Sequence, residues 1–143
     1  MKTLKTLTLG LCLFLAATIA KANKISTEDK MASPYFAINT YVDAVSRGKV
    51  ADLDQVIDKT AKFSMLRGKN IISFDKDEMI NFAKQNANLE QTCTINTSIV
   101  NTNADVTVAK VDMQFDGFVR SNYVTLTHTG SGWKITNVYS VFK

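Results

Sequence analysis

Apolar residues recur at helical spacing in the first half of the chain and at alternate positions in the second half. From Pro34 onward, Tyr35, Ile38, Tyr41, Val42 and Val45 fall on one face of a 3.6-residue repeat. Ser33 stands where an N-cap hydroxyl is wanted, and Pro34 occupies the first helical position, where its missing N–H is no loss. Gly48 supplies the stop. A second short amphipathic stretch places Val50, Leu53, Val56 and Ile57 together. Residues 61–74 then change period: Phe63 and Met65 alternate with Lys62 and Ser64 and break at Arg67-Gly68, which predicts a short strand pair. Asp75 followed three residues later by Glu78 is a capping box. It opens a third helix with an apolar face of Met79, Phe82 and Ala83, stopped by Asn86 and Asn88.

The remainder reads as strand. Residues 92–100, 105–115, 118–128 and 133–142 are rich in Thr, Val, Ile and aromatics, and each gap between them holds turn residues, including Asp116-Gly117 and Gly130-Ser131-Gly132. Helices early and an antiparallel meander late define an α+β domain. A sheet must bury one face, and three amphipathic helices are its cover, so they are expected across the concave side.

Composition matters mainly through the N-terminus. Lys2 and Lys5 precede an apolar run from Leu7 to Ala20, and Ala20 and Ala22 have the small-residue spacing of a cleavage site. Residues 1–22 therefore read as a secretory signal peptide, cleaved after Ala22, rather than an anchor. The run falls short of the roughly 20 residues that span a bilayer. The expected location is secreted or periplasmic. Residues 23–33 are polar and expected to be flexible, and residues 34–143 form the domain. Loss of Lys2, Lys5 and Lys21 leaves 14 basic residues against 13 acidic ones, so the net charge falls from +4 to +1. No cluster of Lys or Arg remains to neutralise phosphates, which argues against nucleic acid as a partner. Cys12 leaves with the signal, so Cys93 has no internal disulfide partner.

Residues 40–63, a Tyr-bearing helix with a Gly stop, a short helix and a strand entered through Ala61, resemble the opening of the nuclear transport factor 2-like superfamily. Residues 104–142, with a Val-Ala-Lys-Val strand at 108–111, a Tyr-bearing strand, a Gly turn and a terminal Trp-Lys-Ile strand at 133–135, resemble one branch of it, the putative lumazine-binding family. The resemblance spans residues 34–142. It implies a cone-shaped fold with three N-terminal helices packed on a curved, mostly antiparallel sheet, and a small-molecule pocket. Two departures stand out: Ile57-Asp58-Lys59-Thr60-Ala61 replaces a His-bearing turn, and Asn122 stands where the family often has Asp.

The superfamily includes isomerases, dehydratases and cyclases, so a ketosteroid-isomerase-like or polyketide-cyclase-like activity is the enzymatic alternative. Tyr41 matches the helix Tyr of the steroid isomerases. The base position falls near Ser64 and Met65, neither of which abstracts a proton from carbon at neutral pH, and no Asp or Glu follows Asp116. No catalytic residue is assigned. His128 is expected at the rim of the last hairpin opposite Trp133. Cys93 lies a strand away, level with about Ser121 and roughly 20 Å from His128 along the sheet, so it reads as apolar filler. One His and no carboxylate cluster offer no metal shell, and no cofactor is expected.

A regular last hairpin would put His128 opposite Trp133, Leu126 opposite Ile135, Val124 opposite Asn137 and Asn122 opposite Tyr139, with Arg120 beyond. This face has two readings. In the first it lies on the solvent side or in a dimer interface on the outer sheet; in the second it is the polar end of a cavity. In the cavity reading Tyr41, Arg120, Asn122, Asn137 and Tyr139 join Phe63, Met65, Phe82, Met113 and Phe115 around a planar, partly apolar ligand, aromatic or heterocyclic. A bulge between Ile135 and Val138 would exchange the faces. The leading expectation is a non-enzymatic binding domain. A dimerising module without a ligand is the third reading.

Overall fold

The computed structural model describes residues 26–143, and the expected signal peptide lies outside them. Helix α1 (Thr27–Met31) falls in the segment expected to be flexible. The Ser26 hydroxyl accepts from the Asp29 amide at 3.1 Å while the Asp29 carboxylate accepts from Ser26, a complete capping box, and Met31 is buried in the core. Helix α2 (Pro34–Arg47) starts and stops where the sequence predicts. Ser33 Oγ accepts from the Tyr35 amide, and Gly48 closes the helix in the left-handed region at φ 64°. Its buried ridge is Ala37, Ile38, Tyr41 and Ala44, which turns Tyr35 out to solvent.

Helix α3 (Leu53–Val56) is one turn long, because Ile57 is already extended and opens strand β1 (Ile57–Arg67) instead of closing the helix. Lys76 Nζ donates to the carbonyls of Asp54 (2.8 Å) and Ile57 (3.0 Å), meeting acceptors that the short helix leaves open. Strand β2 (Asn70–Phe74) returns antiparallel to β1. Helix α4 (Lys76–Gln85) has the predicted capping box, with Glu78 N donating to Asp75 Oδ1 at 3.0 Å and Asp75 N to Glu78 Oε2 at 2.9 Å. Its buried side is Ile80 and Ala83. Phe82 was expected on that side, yet it is 61% exposed.

Strands β3 (Thr94–Thr102), β4 (Val106–Phe115), β5 (Phe118–Thr129) and β6 (Gly132–Phe142) form the predicted meander. The sheet order is β2-β1-β6-β5-β4-β3, antiparallel except for the parallel pair β1 and β6. The C-terminal strand is thereby central. Helix α2 packs against β4, β5 and β6, while α4 packs against β1. Ile38, Tyr41, Leu53, Val111, Met113, Val124, Leu126, Ile135 and Val138 are fully buried between the layers. Each contributes about 1.5–3 kcal/mol of hydrophobic stabilisation.

The last hairpin corrects one sequence expectation. His128 pairs with Trp133 and Leu126 with Ile135, but then Thr125 pairs with Asn137, Val124 with Val138 and Asn122 with Ser140. Thr136 is the extra residue of a bulge, and beyond it the phase of β6 reverses. Ile135 and Val138, three apart, can both face the core only through such an insertion. Without it the amide of Asn137 would be buried, at a cost of about 1–3 kcal/mol if unpaired. Asn137 and Tyr139 consequently lie on the outer face, where Asn137 is exposed and Tyr139 is paired with Tyr123 and Ser64.

Candidate functional site

A cavity of about 530 Å³ lies between α4, the loop after it and the inner faces of β1, β2, β4, β5 and β6. Alternation along the strands supplies its apolar wall: Phe63 and Met65 from β1, Phe74 from β2, Met113 and Phe115 from β4 and Val138 from β6. Phe82 and Met79 project from α4, and Tyr41 and Ala44 from α2. The exposure of Phe82 has its reason here, since it borders open space rather than packed core.

The loop at residues 86–91 is fastened to the end of α2. Asn88, with φ 64°, donates its amide to the Gly48 carbonyl at 2.9 Å, and the Gln91 amide donates to the Ser46 carbonyl at 2.6 Å. A Cβ on Gly48 would come within 2.6 Å of Asn88 N and 2.7 Å of Asn86 O and Leu89 N, so the approach needs a glycine. Through this contact Asn86, Leu89 and Gln91 become part of the cavity lining.

One end of the cavity is polar. Arg120 lines it, and its Nε–H donates to Asn122 Oδ1 at 2.9 Å. The same oxygen accepts from Ser140 Oγ at 2.6 Å, while Asn122 Nδ2 donates to the Val111 carbonyl at 3.4 Å. Asn122 has no exposed surface, so these bonds meet the requirement that a buried amide be paired. The guanidinium lies 5.9 Å from the centre of the Phe142 ring, and Phe142 neighbours the stacked pair Phe115 and Phe118, whose centroids are 4.7 Å apart. Tyr41 is fully buried, which pushes its hydroxyl pKa up; the nearby charge of Arg120 opposes the shift.

Seven of the expected site residues line the cavity: Tyr41, Phe63, Met65, Phe82, Met113, Phe115 and Arg120. Asn122 stands behind Arg120 as its orienting partner. Asn137 and Tyr139 are excluded by the Thr136 bulge and lie on the opposite face of the sheet. Val138 and Ser140 take their places, and the odd spacing of Ile135 and Val138 was the signal for that exchange. Phe74 was also missed, although its place opposite Phe63 follows from the β1–β2 hairpin register.

Among the described lining residues Glu78 is the one carboxylate, and its Oε2 is held by the Asp75 amide at the start of α4. Cys93 packs at the core margin, and burial pushes its thiol pKa up, away from the reactive thiolate. His128 is exposed and lies on Trp133, 5.3 Å between centroids, outside the cavity lining.

The family described as putative lumazine-binding matches residues 35–140. The chain therefore belongs to it. No curated protein matches the chain. Among solved structures, an NTF2-like protein of unknown function from Silicibacter pomeroyi superposes with a TM-score of 0.62 at 19% identity, covering 82% of this chain and 98% of that one. An NTF2-like protein of unknown function from Methylobacillus flagellatus gives 0.58 at 17% identity, covering 84% and 96%. A cystatin-like fold protein from Burkholderia xenovorans gives 0.61 at 12% identity, covering 80% and 92%. These likenesses establish the nuclear transport factor 2-like α+β fold.

Proposed function

We propose that this member of the putative lumazine-binding family is a secreted or periplasmic binding protein that holds a small, planar, partly apolar molecule in the cavity beneath α4. The observation that carries the reading is the cavity's composition: aromatic and Met side chains from the strands and α4, with hydrogen-bonding groups among them that include Tyr41, Arg120 and Ser140. Apolar burial supplies affinity in such a site, and the few fixed polar groups set orientation. Binding without chemistry is favoured over the isomerase-like alternative by Glu78, whose carboxylate is engaged in capping α4. Phe63, Ser64 and Met65 occupy the β1 wall, and none of them is a proton-transferring group.

A thermal-shift screen against pteridines, flavins, steroids and simple aromatic metabolites tests the proposal. A ligand present at about 100 times its Kd stabilises the fold by roughly 2.7 kcal/mol, which is readily seen as a raised Tm. Absence of a shift with every class would count against a ligand role.

Pairing of two copies through the outer sheet face is a second reading. Leu66 and Ile71, cross-strand partners at the end of the β1–β2 hairpin, are 41% and 64% exposed. Sedimentation equilibrium of the wild type and of Ile71→Lys distinguishes a dimer through this face from a monomer.

A further inference from the structure

The charge of Arg120 is provided for on one side only. Of its donors, Nε is committed to Asn122, and Asn122 is in turn fixed by Ser140 and the Val111 carbonyl. The remaining edge of the planar fork carries four more N–H bonds, and among the described residues no carboxylate lies within salt-bridge reach of it. Arg120 is also the one basic residue among the described residues lining the cavity, and Glu78, the one acidic residue there, does not pair with it. A guanidinium in a partly dry wall, pre-oriented by a buried amide and flanked by the Phe142 ring, is suited to bidentate binding of a carboxylate. Tyr41 lies close enough to feel its charge and adds a neutral hydroxyl donor, because burial keeps the phenol protonated.

From this arrangement we infer that the cavity takes an organic anion: a planar apolar body bearing one carboxylate, with the carboxylate seated between Arg120 and Tyr41 and the body lying along Phe63, Met65, Met113 and Phe115. The inference rests on the binding reading above and narrows it to a ligand class. Asn122 is a positioning residue in this scheme, since it orients Arg120 without reaching the ligand. Phe82, on the exposed side of α4, covers the outer face of the body.

The test compares acids with their neutral amides on the same ring, 2-naphthoate with 2-naphthamide and indole-3-acetate with indole-3-acetamide, by titration calorimetry on the purified protein. The wild type is expected to bind each acid at least tenfold more tightly than its amide, with the gap shrinking in high salt. Arg120→Met is expected to abolish the gap between acid and amide, and Arg120→Lys to restore part of it. Equal binding of acids and amides by the wild type would overturn the anion inference and leave the cavity reading standing. Binding of neither member of either pair would overturn both. The wild-type comparison needs no variant, so a variant that fails to fold does not remove the test.

Discussion

Ser140 faces Asn122 across the β5–β6 pair, and its hydroxyl donates a 2.6 Å hydrogen bond to the amide oxygen that also receives Arg120. Ser140, one residue beyond the Tyr139 that a regular hairpin would set opposite Asn122, thus becomes the anchor of the cavity's charged end. Removal of the shared acceptor should be felt at once in stability and in binding. In Asn122→Ala the Arg120 Nε–H and the Ser140 hydroxyl both lose their partner. The expected cost is about 1–3 kcal/mol, read as a lower urea midpoint. Ser140→Ala leaves the Arg120–Asn122 bond in place and should cost about 1 kcal/mol.

Neighbouring positions on β6 should behave in opposite ways because of the Thr136 bulge. Val138 is 1% exposed and lies opposite Val124, whereas Asn137 is exposed on the other face. Val138→Ala is expected to destabilise by about 2–3 kcal/mol, and Asn137→Ala to stay within about 0.5 kcal/mol of the wild type. A regular hairpin would reverse that order, so chemical denaturation of the two variants decides the register.

Gly48 couples the end of α2 to the cavity loop. Alanine there would carry the strain of a left-handed backbone and also collide with three backbone atoms of residues 86–89. The expected loss is at least about 2 kcal/mol. Amide hydrogen exchange should quicken at Asn88 and Gln91, whose N–H groups bond to Gly48 and Ser46. Slow exchange at both in Gly48→Ala would show that the loop is held by something else.

Acid should weaken the outer sheet face at a defined place. Lys110 Nζ and Ser121 Oγ both donate to the Asp112 carboxylate, at 2.8 and 2.5 Å, and these bonds hold its pKa below the ordinary 3.8. A carboxylate more acidic in the folded chain than in the unfolded one stabilises the fold fully above the unfolded value. That contribution disappears as pH falls through the lower folded value. Asp58, held down by Thr60, acts in the same sense. Urea midpoints measured from pH 6 down to pH 2 should therefore fall less steeply below about pH 4 in Asp112→Asn than in the wild type. Parallel curves would deny Asp112 its part.

Local signals were legible because they depend on neighbours in the chain. The Ser33 cap, the Gly48 stop and the Asp75–Glu78 box depend on backbone groups within a turn or so of themselves, and all three stand where the sequence places them. The inward alternation of Phe63, Met65, Met113 and Phe115 follows from the period of a strand, and it was enough to name most of the apolar wall. The meander and its turns likewise brought out the α+β class and the family.

What the sequence left open was decided by partners distant along the chain. Only pairing with β5 and β1 together places the extra residue at Thr136, because that choice buries Val138 and Ser140 and leaves the Asn137 amide in water. Phe82 belongs to a helix face by its spacing, but the space beneath α4 makes it a cavity residue instead of core. Periodicity fixes which side chains share a face, while the free energy of burying them against a particular neighbour fixes which face is turned inward.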